Sequence, residues 1–335
     1  MFIVTNYPLA VFLCVITMFC WGSWANTQKI AGKEWRFELF YWDYVIGIFL
    51  FSLLFSFTLG SHGDQGRPFI EDIKQAGLNT ILSPLIGGAI FNLANILLVA
   101  AIAIAGMAVA FPVGVGIAMV LGVIINFFTS VPEKRGDPVF LFIGVLFVVT
   151  AIVLDALSYK KCSAHSQKVS TRGIVVAIIA GVLMSVFYRF ITVSMVTDFT
   201  YPEPGKLTPY TALFFFSAGI LVSNFFINTF LMARPIEGPA VHISDYFRGS
   251  AKVHLAGILG GLIWGVGTNL NVLASGNAGT AISYGLGQGA TLVAALWGVF
   301  IWKEFAGSNK TIRLLLSLMF LFFIAGIALV IIAGL

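Results

Sequence analysis

Charged side chains are scarce in this sequence. Only 10% of its 335 residues are Asp, Glu, Lys or Arg, whereas 59% are hydrophobic and the mean hydropathy is +0.98. A soluble domain of this length needs many more charged side chains to hydrate its surface. The composition therefore excludes an ordinary soluble protein and predicts an integral membrane protein whose solvent is lipid.

Catalytic motifs are missing as well. No HExxH, GxSxG, P-loop or acidic metal-binding repeat occurs, and the three cysteines have no spacing typical of a metal site or a disulfide framework. The sequence therefore predicts no enzyme, no cofactor and no metal. The net charge of +5 lies in short loops between apolar runs, so membrane orientation explains it better than a nucleic-acid partner does.

Long apolar runs dominate what is present. A helix needs roughly 20 residues to cross about 30 Å of hydrocarbon, and runs of this kind are bounded by charged or Pro/Gly-rich breaks. They fall at 8–30, 41–60, 80–104, 108–129, 138–158, 173–197, 211–231, 253–275, 279–302 and 311–334. The sequence thus predicts an all-α membrane protein with ten transmembrane helices and no room for a separate soluble domain.

The two halves of the sequence resemble each other. An ungapped shift of 173 residues superposes Gly87-Gly88 on Gly260-Gly261 and Ala105-Gly106 on Ala278-Gly279. Five helices per half is an odd number, so a second copy must enter the membrane upside down, as in many secondary transporters. We predict two inverted five-helix repeats, 1–159 and 173–335, joined by a cytoplasmic linker at 160–172. The alternative is chance matching of Gly and Ala in apolar sequence.

Basic residues predict the orientation. Of the 19 Lys and Arg residues, thirteen fall in loops after helices 1, 3, 5, 7 and 9, five fall on the other face, and Arg189 lies within a span. Because cytoplasmic loops carry an excess of Lys and Arg, the first set should be cytoplasmic. Both termini of this cell-membrane protein are then expected outside the cytoplasm.

Polar residues within the spans are the candidates for a solute site, since they are costly in hydrocarbon. Helical spacing places them on shared faces, and an amide or aromatic face suits a small polar solute. The alternative is that they are hydrogen-bonding contacts between helices. The candidates are Trp264, Thr268 and Asn271 in helix 8, Tyr284 and Gln288 in helix 9, and Asn92 and Asn95 in helix 3, where Phe91 is equivalent to Trp264.

Helices 1 and 6 contribute the other candidates. Trp21 and Asn26 can reach a central cavity, whereas Trp24 can equally be an interface anchor. Arg189, beside Tyr188 and about eight residues from the predicted end of its helix, either binds solute, pairs with an acid as a gate or brace, or snorkels to the interface. Asp43 and Asp155 are expected at the interface, near helix ends.

Three stretches carry a resemblance to a known family. They are Trp21-Gly22-Ser23-Trp24-Ala25-Asn26-Thr27-Gln28-Lys29, the tight Gly106-Met107 turn before a Gly-rich helix, and Lys303-Glu304-Phe305 before the last helix. The chain resembles the drug/metabolite transporter superfamily, in particular its ten-helix glucose/ribose porters and L-rhamnose/proton symporters, to which plant ureide permeases are related. The resemblance implies inverted halves, alternating access and often proton-coupled import.

One feature of that superfamily is absent. Its small multidrug exporters use a membrane-embedded glutamate in their first helix, and no acidic residue precedes Lys33 here. This difference argues against an exporter mechanism that exchanges drug for protons, which needs a titratable acid in the path.

Together these observations predict a secondary transporter that imports a small neutral polar solute. A monosaccharide is the first expectation, and a nucleoside, nucleobase or ureide is the alternative. Coupling to a proton or sodium ion stays open. A non-transporting membrane enzyme or sensor is the alternative from another class, and it should show a reactive His/Asp/Glu group at the membrane surface.

Overall fold

A computed structural model describes residues 1–32, 35–162, 170–236 and 238–335. Ten helices in these residues are long and apolar enough to cross a membrane, which confirms the predicted all-α membrane fold. Their bounds are α1 Tyr7–Ala31, α2 Phe37–Phe57, α3 Leu78–Ala105, α4 Val109–Thr129, α5 Pro138–Cys162, α6 Thr171–Thr192, α7 Pro209–Ala233, α8 Ala251–Ala278, α9 Thr280–Ile301 and α10 Lys310–Ile332. Helices satisfy their own backbone hydrogen bonds, which lipid requires.

Side-chain caps begin three of these helices. The Asn6 side chain accepts from the amide of Leu9, Ser170 from Gly173 and Asn309 from Ile312. Such caps satisfy amides that have no partner within the first turn. We call the side on which α1, α3, α5, α7 and α9 end the basic face, and the other side, which holds both chain ends, the opposite face.

Single glycines join the two tightest helix pairs. Gly106 ends α3 with φ 80° and ψ 154°, and Gly279 ends α8 with φ 79° and ψ 155°. Positive φ is accessible to glycine at little cost. The first turn lies where the sequence suggested it. The apolar runs predicted a second break at 276–278, but these residues still belong to α8 and the chain reverses at Gly279.

The helices pack in matching pairs. Helix α3 packs along α6 and α7, while α8 packs along α1 and α2, and α5 packs along α10. Glycines permit the closest approaches: a Cβ added at Gly88 would lie 2.1 Å from the Phe216 carbonyl oxygen, and one at Gly261 would lie 2.0 Å from that of Tyr44. Small residues at such contacts let helix backbones approach closely in a membrane.

Loops close the opposite face. Arg67 donates to Asp72 at 2.8 Å, and the second Asp72 oxygen accepts from the amide of Thr208 at 2.7 Å. Asp72 is fully buried. Lys134 donates from Nζ to the carbonyls of Thr197 at 2.9 Å and Gly276 at 2.8 Å. These bonds tie the loops before α3, α5 and α7 to the end of α8.

The predicted linker at 160–172 overlaps the end of α5 and the start of α6, and its residues 163–169, with Lys168, lie outside the described residues. Lys33 lies outside them too. Arg189 corrects another expectation. It lies in the last turn of α6, which ends at Thr192, because the segment that follows bends into a loop paired with Leu207. Arg189 is therefore not deep within its span.

Candidate functional site

A central cavity of about 210 Å³ lies between the helices in the half of the protein nearer the basic face. Helices α1, α3, α4, α6, α8 and α9 line it. Its polar side chains include Asn95, Gln288 and Thr291, and no Asp, Glu, Lys, Arg or His among the described residues lines it. At roughly 30 Å³ per water molecule, this is room for one small solute, and an uncharged one suits such walls.

Trp264 forms the aromatic wall of the cavity. Its ring lies 4.6 Å from that of Phe91 and 6.1 Å from that of Trp21, nearly parallel to the latter at 14°. The Trp21 indole nitrogen donates to the Thr268 hydroxyl at 3.0 Å, which itself donates to the Trp264 carbonyl at 3.0 Å. Thr268 is buried behind this wall, and its hydroxyl holds the Trp21 indole in place. The predicted helix 8 face thus supplies a rigid flat surface.

Two amides face this wall from α3 and α9. Asn95 donates to the buried Tyr41 hydroxyl at 3.1 Å. The side chain of Gln288 has no hydrogen-bond partner recorded within the described residues and lines the cavity directly. Just beyond it, α9 breaks: the amide of Gly289 donates to the Leu286 carbonyl at 2.9 Å, three residues back. A side-chain amide offers both donor and acceptor atoms to a solute.

Three predicted residues line other spaces or none. Asn92 donates to the Ser223 hydroxyl at 3.0 Å and so faces α7. Asn271 donates to the Ser283 carbonyl at 2.8 Å between α8 and α9. Asn26 lines a second cavity and accepts from the Trp302 indole at 2.7 Å. None of the three lines the central cavity, because each amide meets a neighbouring helix first.

Tyr284 and Tyr188 close the central cavity toward the opposite face. The Tyr284 hydroxyl donates to the carbonyls of Ala118 at 3.1 Å and Met184 at 3.3 Å, both of which line the cavity. The two tyrosine rings are 5.4 Å apart and fully buried. They form a floor behind the cavity wall, so neither lines the site as predicted.

Arg189 lines a separate cavity of about 110 Å³ beyond this floor. It shares that space with Lys134, Ser275 and other hydroxyl-bearing residues. Burial lowers the pKa of Lys134, against the opposing effect of the Asp198 and Glu203 carboxylates. Arg189 and the central cavity are thus on opposite sides of the tyrosine floor.

Sequence reasoning missed several lining residues. Thr291, three residues after Gln288, shares its helical face and was within reach of the same spacing argument. Trp24 lines the cavity, which selects one of its two predicted roles. Phe111 and Phe187 gave no sequence signal, because phenylalanine is abundant in every span.

A cluster of polar side chains around Asp43 lies near the basic face. His254 Nδ1 is 3.0 Å from Asp43, and the Tyr246 hydroxyl donates to the same carboxylate at 2.5 Å. Asp43 is 1% exposed, so it is buried inside the protein rather than placed at the interface. Burial raises the pKa of Tyr246, and the neighbouring Asp43 carboxylate raises it further. The cluster holds the helix Ile243–Tyr246 against α2 and α8.

A family model described as ureide permease matches residues 40–171 and 157–333. The chain belongs to the ureide permease family. This confirms the ureide permease relationship noted in the sequence, and it shows a membrane transporter of small polar solutes with several membrane spans.

Individual relatives agree with the family assignment. Ureide permease 1 of Arabidopsis thaliana is 22% identical over 97% of this chain and 97% of its own length, and Ureide permease 4 of the same plant is 22% identical over 98% of each. Transmembrane protein 144 homolog B of Dictyostelium discoideum is 26% identical over 43% of this chain and 38% of its own. Two of these three relatives are named as ureide permeases.

A solved structure supports the fold of this ureide permease family member. One crystal structure aligns over 97% of this chain and 96% of its own chain, with a TM-score of 0.64 and 16% identity. This similarity concerns the arrangement of the helices alone.

Proposed function

We propose that this protein carries a small uncharged solute with urea-type amide groups, a ureide, through the central cavity. The observation that carries the proposal is the pairing of a flat aromatic wall at Trp264 with the amides of Asn95 and Gln288 in a cavity lined by no charged side chain among the described residues. A planar NH–CO–NH unit stacks on such a wall and exchanges hydrogen bonds with side-chain amides. The names of the family and of its relatives support the same class of solute.

A nucleobase is the second candidate, because it shares the plane and the NH–CO–NH edge of a ureide. We propose that either solute moves by secondary transport with alternating access.

The matched glycines support a proposal of two inverted repeats, 1–159 and 173–335. Gly106 and Gly279 share one backbone conformation at equivalent positions, yet lie on opposite faces. Gly88 and Gly261 are also equivalent, and each brings a helix against a backbone carbonyl. An inverted repeat places its solute site between the halves, and the central cavity has walls from both.

The excess of Lys and Arg supports a cytoplasmic basic face. The central cavity lies nearer that face, so in this arrangement it is an inward-facing site. A reporter fused to the C-terminus should be extracytoplasmic and one inserted after Lys161 should be cytoplasmic. The opposite result for both would reverse the orientation and leave the ten helices unchanged.

Solute exchange by the purified protein tests the function. Liposomes holding the protein and an unlabelled ureide such as allantoin should take up labelled allantoin by exchange, and uracil should compete better than glucose or rhamnose. Protein-free liposomes give the background. Exchange of a monosaccharide alone would refute the proposed solute class, and no exchange with any of these solutes would refute transport through this cavity.

A further inference from the structure

The second cavity connects the solute site to the basic face. It has a volume of about 170 Å³ and shares five lining residues with the central cavity. The shared residues are Gly22, Ala25, Phe111, Thr291 and Ala294. The second cavity therefore continues the central cavity toward the basic face.

Charged side chains line this second cavity, unlike the first. Glu304 accepts from Lys29 Nζ at 3.1 Å through one oxygen and from the Tyr159 hydroxyl at 2.5 Å through the other. The Lys29 ammonium also lies 4.5 Å from the centre of the Trp302 ring. Both carboxylate oxygens of Glu304 therefore have a donor.

Asp155 differs from Glu304 in this respect. It lines the same cavity from α5, seven residues before that helix ends at Cys162, which is about 10 Å along the helix axis. Its Oδ1 atom is buried and has no hydrogen-bond partner within the described residues. An interfacial aspartate would have water around both oxygens, so the expected interfacial role does not account for this atom.

An ionised carboxylate without a donor is costly in a low-dielectric environment, and a neighbouring carboxylate adds repulsion. A proton removes both costs. We propose that Asp155 carries a coupling proton in this transporter and receives it from water that enters the second cavity from the basic face. The groups that face this cavity with it are Lys29, Tyr159 and Glu304.

The position explains how proton and solute movements are linked. When Asp155 is protonated, Lys29 stays with Glu304, as in this structure. When Asp155 is ionised, it competes with Glu304 for the Lys29 ammonium, which rearranges the passage between the two cavities. The inference rests on the proposed function, because it assigns the driving force for movement of the same solute.

Two transport modes in proteoliposomes separate coupling from solute binding. Exchange needs no driving ion, whereas accumulation under a pH gradient does. A gradient of one pH unit supports at most about tenfold accumulation for one proton per solute. We expect the wild-type protein to accumulate labelled ureide under this gradient, D155N to lose accumulation while its exchange stays within about twofold, and D155E to keep both. E133Q, at an exposed acid on the opposite face, should behave as wild type.

Gradient-driven accumulation by D155N at the wild-type level would overturn the proposal. Accumulation driven by sodium and not by pH, or exchange by the wild type without any gradient-driven accumulation, would overturn it while leaving the proposed function standing. Absence of exchange in the wild type would overturn both. If D155N folds poorly, D155S tests the same loss of charge, and the ratio of accumulation to exchange does not depend on the amount of folded protein.

Discussion

Gln288 and Asn271 allow a sharp test of the solute site, because both are amides in the same helical pair and only one lines the cavity. Gln288→Leu removes an amide that faces the cavity, and Asn271→Leu removes one that bonds to the Ser283 carbonyl. Leucine has the branched shape of asparagine and one side-chain heavy atom fewer than glutamine. The two variants therefore separate solute binding from contacts between helices.

The structure sets the expected magnitudes. A hydrogen bond lost from a bound solute costs about 0.5–1.5 kcal/mol, so Gln288→Leu should weaken apparent affinity two- to tenfold, roughly. Asn271→Leu loses an interhelical hydrogen bond, which is worth about 0.6 kcal/mol on average in membranes. This loss is offset, because the substitution also removes the buried Asn271 Oδ1, which has no hydrogen-bond partner among the described residues. Its affinity should stay within about twofold of wild type.

The assay is the concentration dependence of ureide exchange in proteoliposomes, with the amount of folded protein measured by size-exclusion chromatography. Gln288→Glu serves as a second variant, since a charge of the wrong kind in an uncharged cavity should weaken exchange further. The reasoning fails if Gln288→Leu exchanges with unchanged affinity and rate. It also fails if Asn271→Leu weakens affinity as much as Gln288→Leu does.

Two further predictions concern packing and closure. Gly88→Ala and Gly261→Ala should both reduce the yield of monodisperse protein, because each added methyl meets a carbonyl oxygen at about 2 Å. Gly116→Ala should not reduce the yield, because an added methyl there has no neighbour within 4 Å. Equal yields for all three variants would contradict this packing. Lys134→Met should loosen the opposite face. In a chain with its three native cysteines replaced, this substitution should speed the reaction of a cysteine introduced by Ser275→Cys with a membrane-impermeant thiol reagent. Unchanged labelling would show that Lys134 does not hold this face closed.

The helices could be predicted from sequence because lipid leaves few choices. Any apolar run of sufficient length must satisfy its own backbone, so all ten spans appear near their predicted positions. The end of α6 could not be predicted from sequence. Residues 193–197 are apolar enough to continue the helix, and they leave it because this segment pairs with Leu207, which lies further along the chain.

The site could be predicted in part. Helical spacing put Trp264 and Gln288 on polar faces of α8 and α9, and both residues line the central cavity, but spacing does not give depth. Asn271 is seven residues beyond Trp264 on the same face, which is about 10 Å along the axis, and at that level α8 meets α9. Tyr284 is one turn from Gln288 and likewise meets α4 and α6. The level at which the cavity ends depends on where Tyr188 and Tyr284 pack. That level is set by how the helices pack against one another.

Asp155 was misjudged for a similar reason. Asp155 lies close to the predicted end of its helix, and this position suggested the membrane interface, where a carboxylate is hydrated. The burial of Oδ1 arises from the helices that enclose the second cavity, α1, α4 and α9 among them. The sequence shows Asp155 but gives no information about its neighbours.

An experimental structure with a bound ureide tests the central claim most directly. The protein should be imaged by cryo-electron microscopy in the presence of the ureide that exchanges best, beside a sample without it. The account predicts ligand density against the Trp264 ring, within hydrogen-bond distance of the amides of Asn95 and Gln288. Density in the Arg189 cavity, with the central cavity unchanged between the two samples, would contradict it.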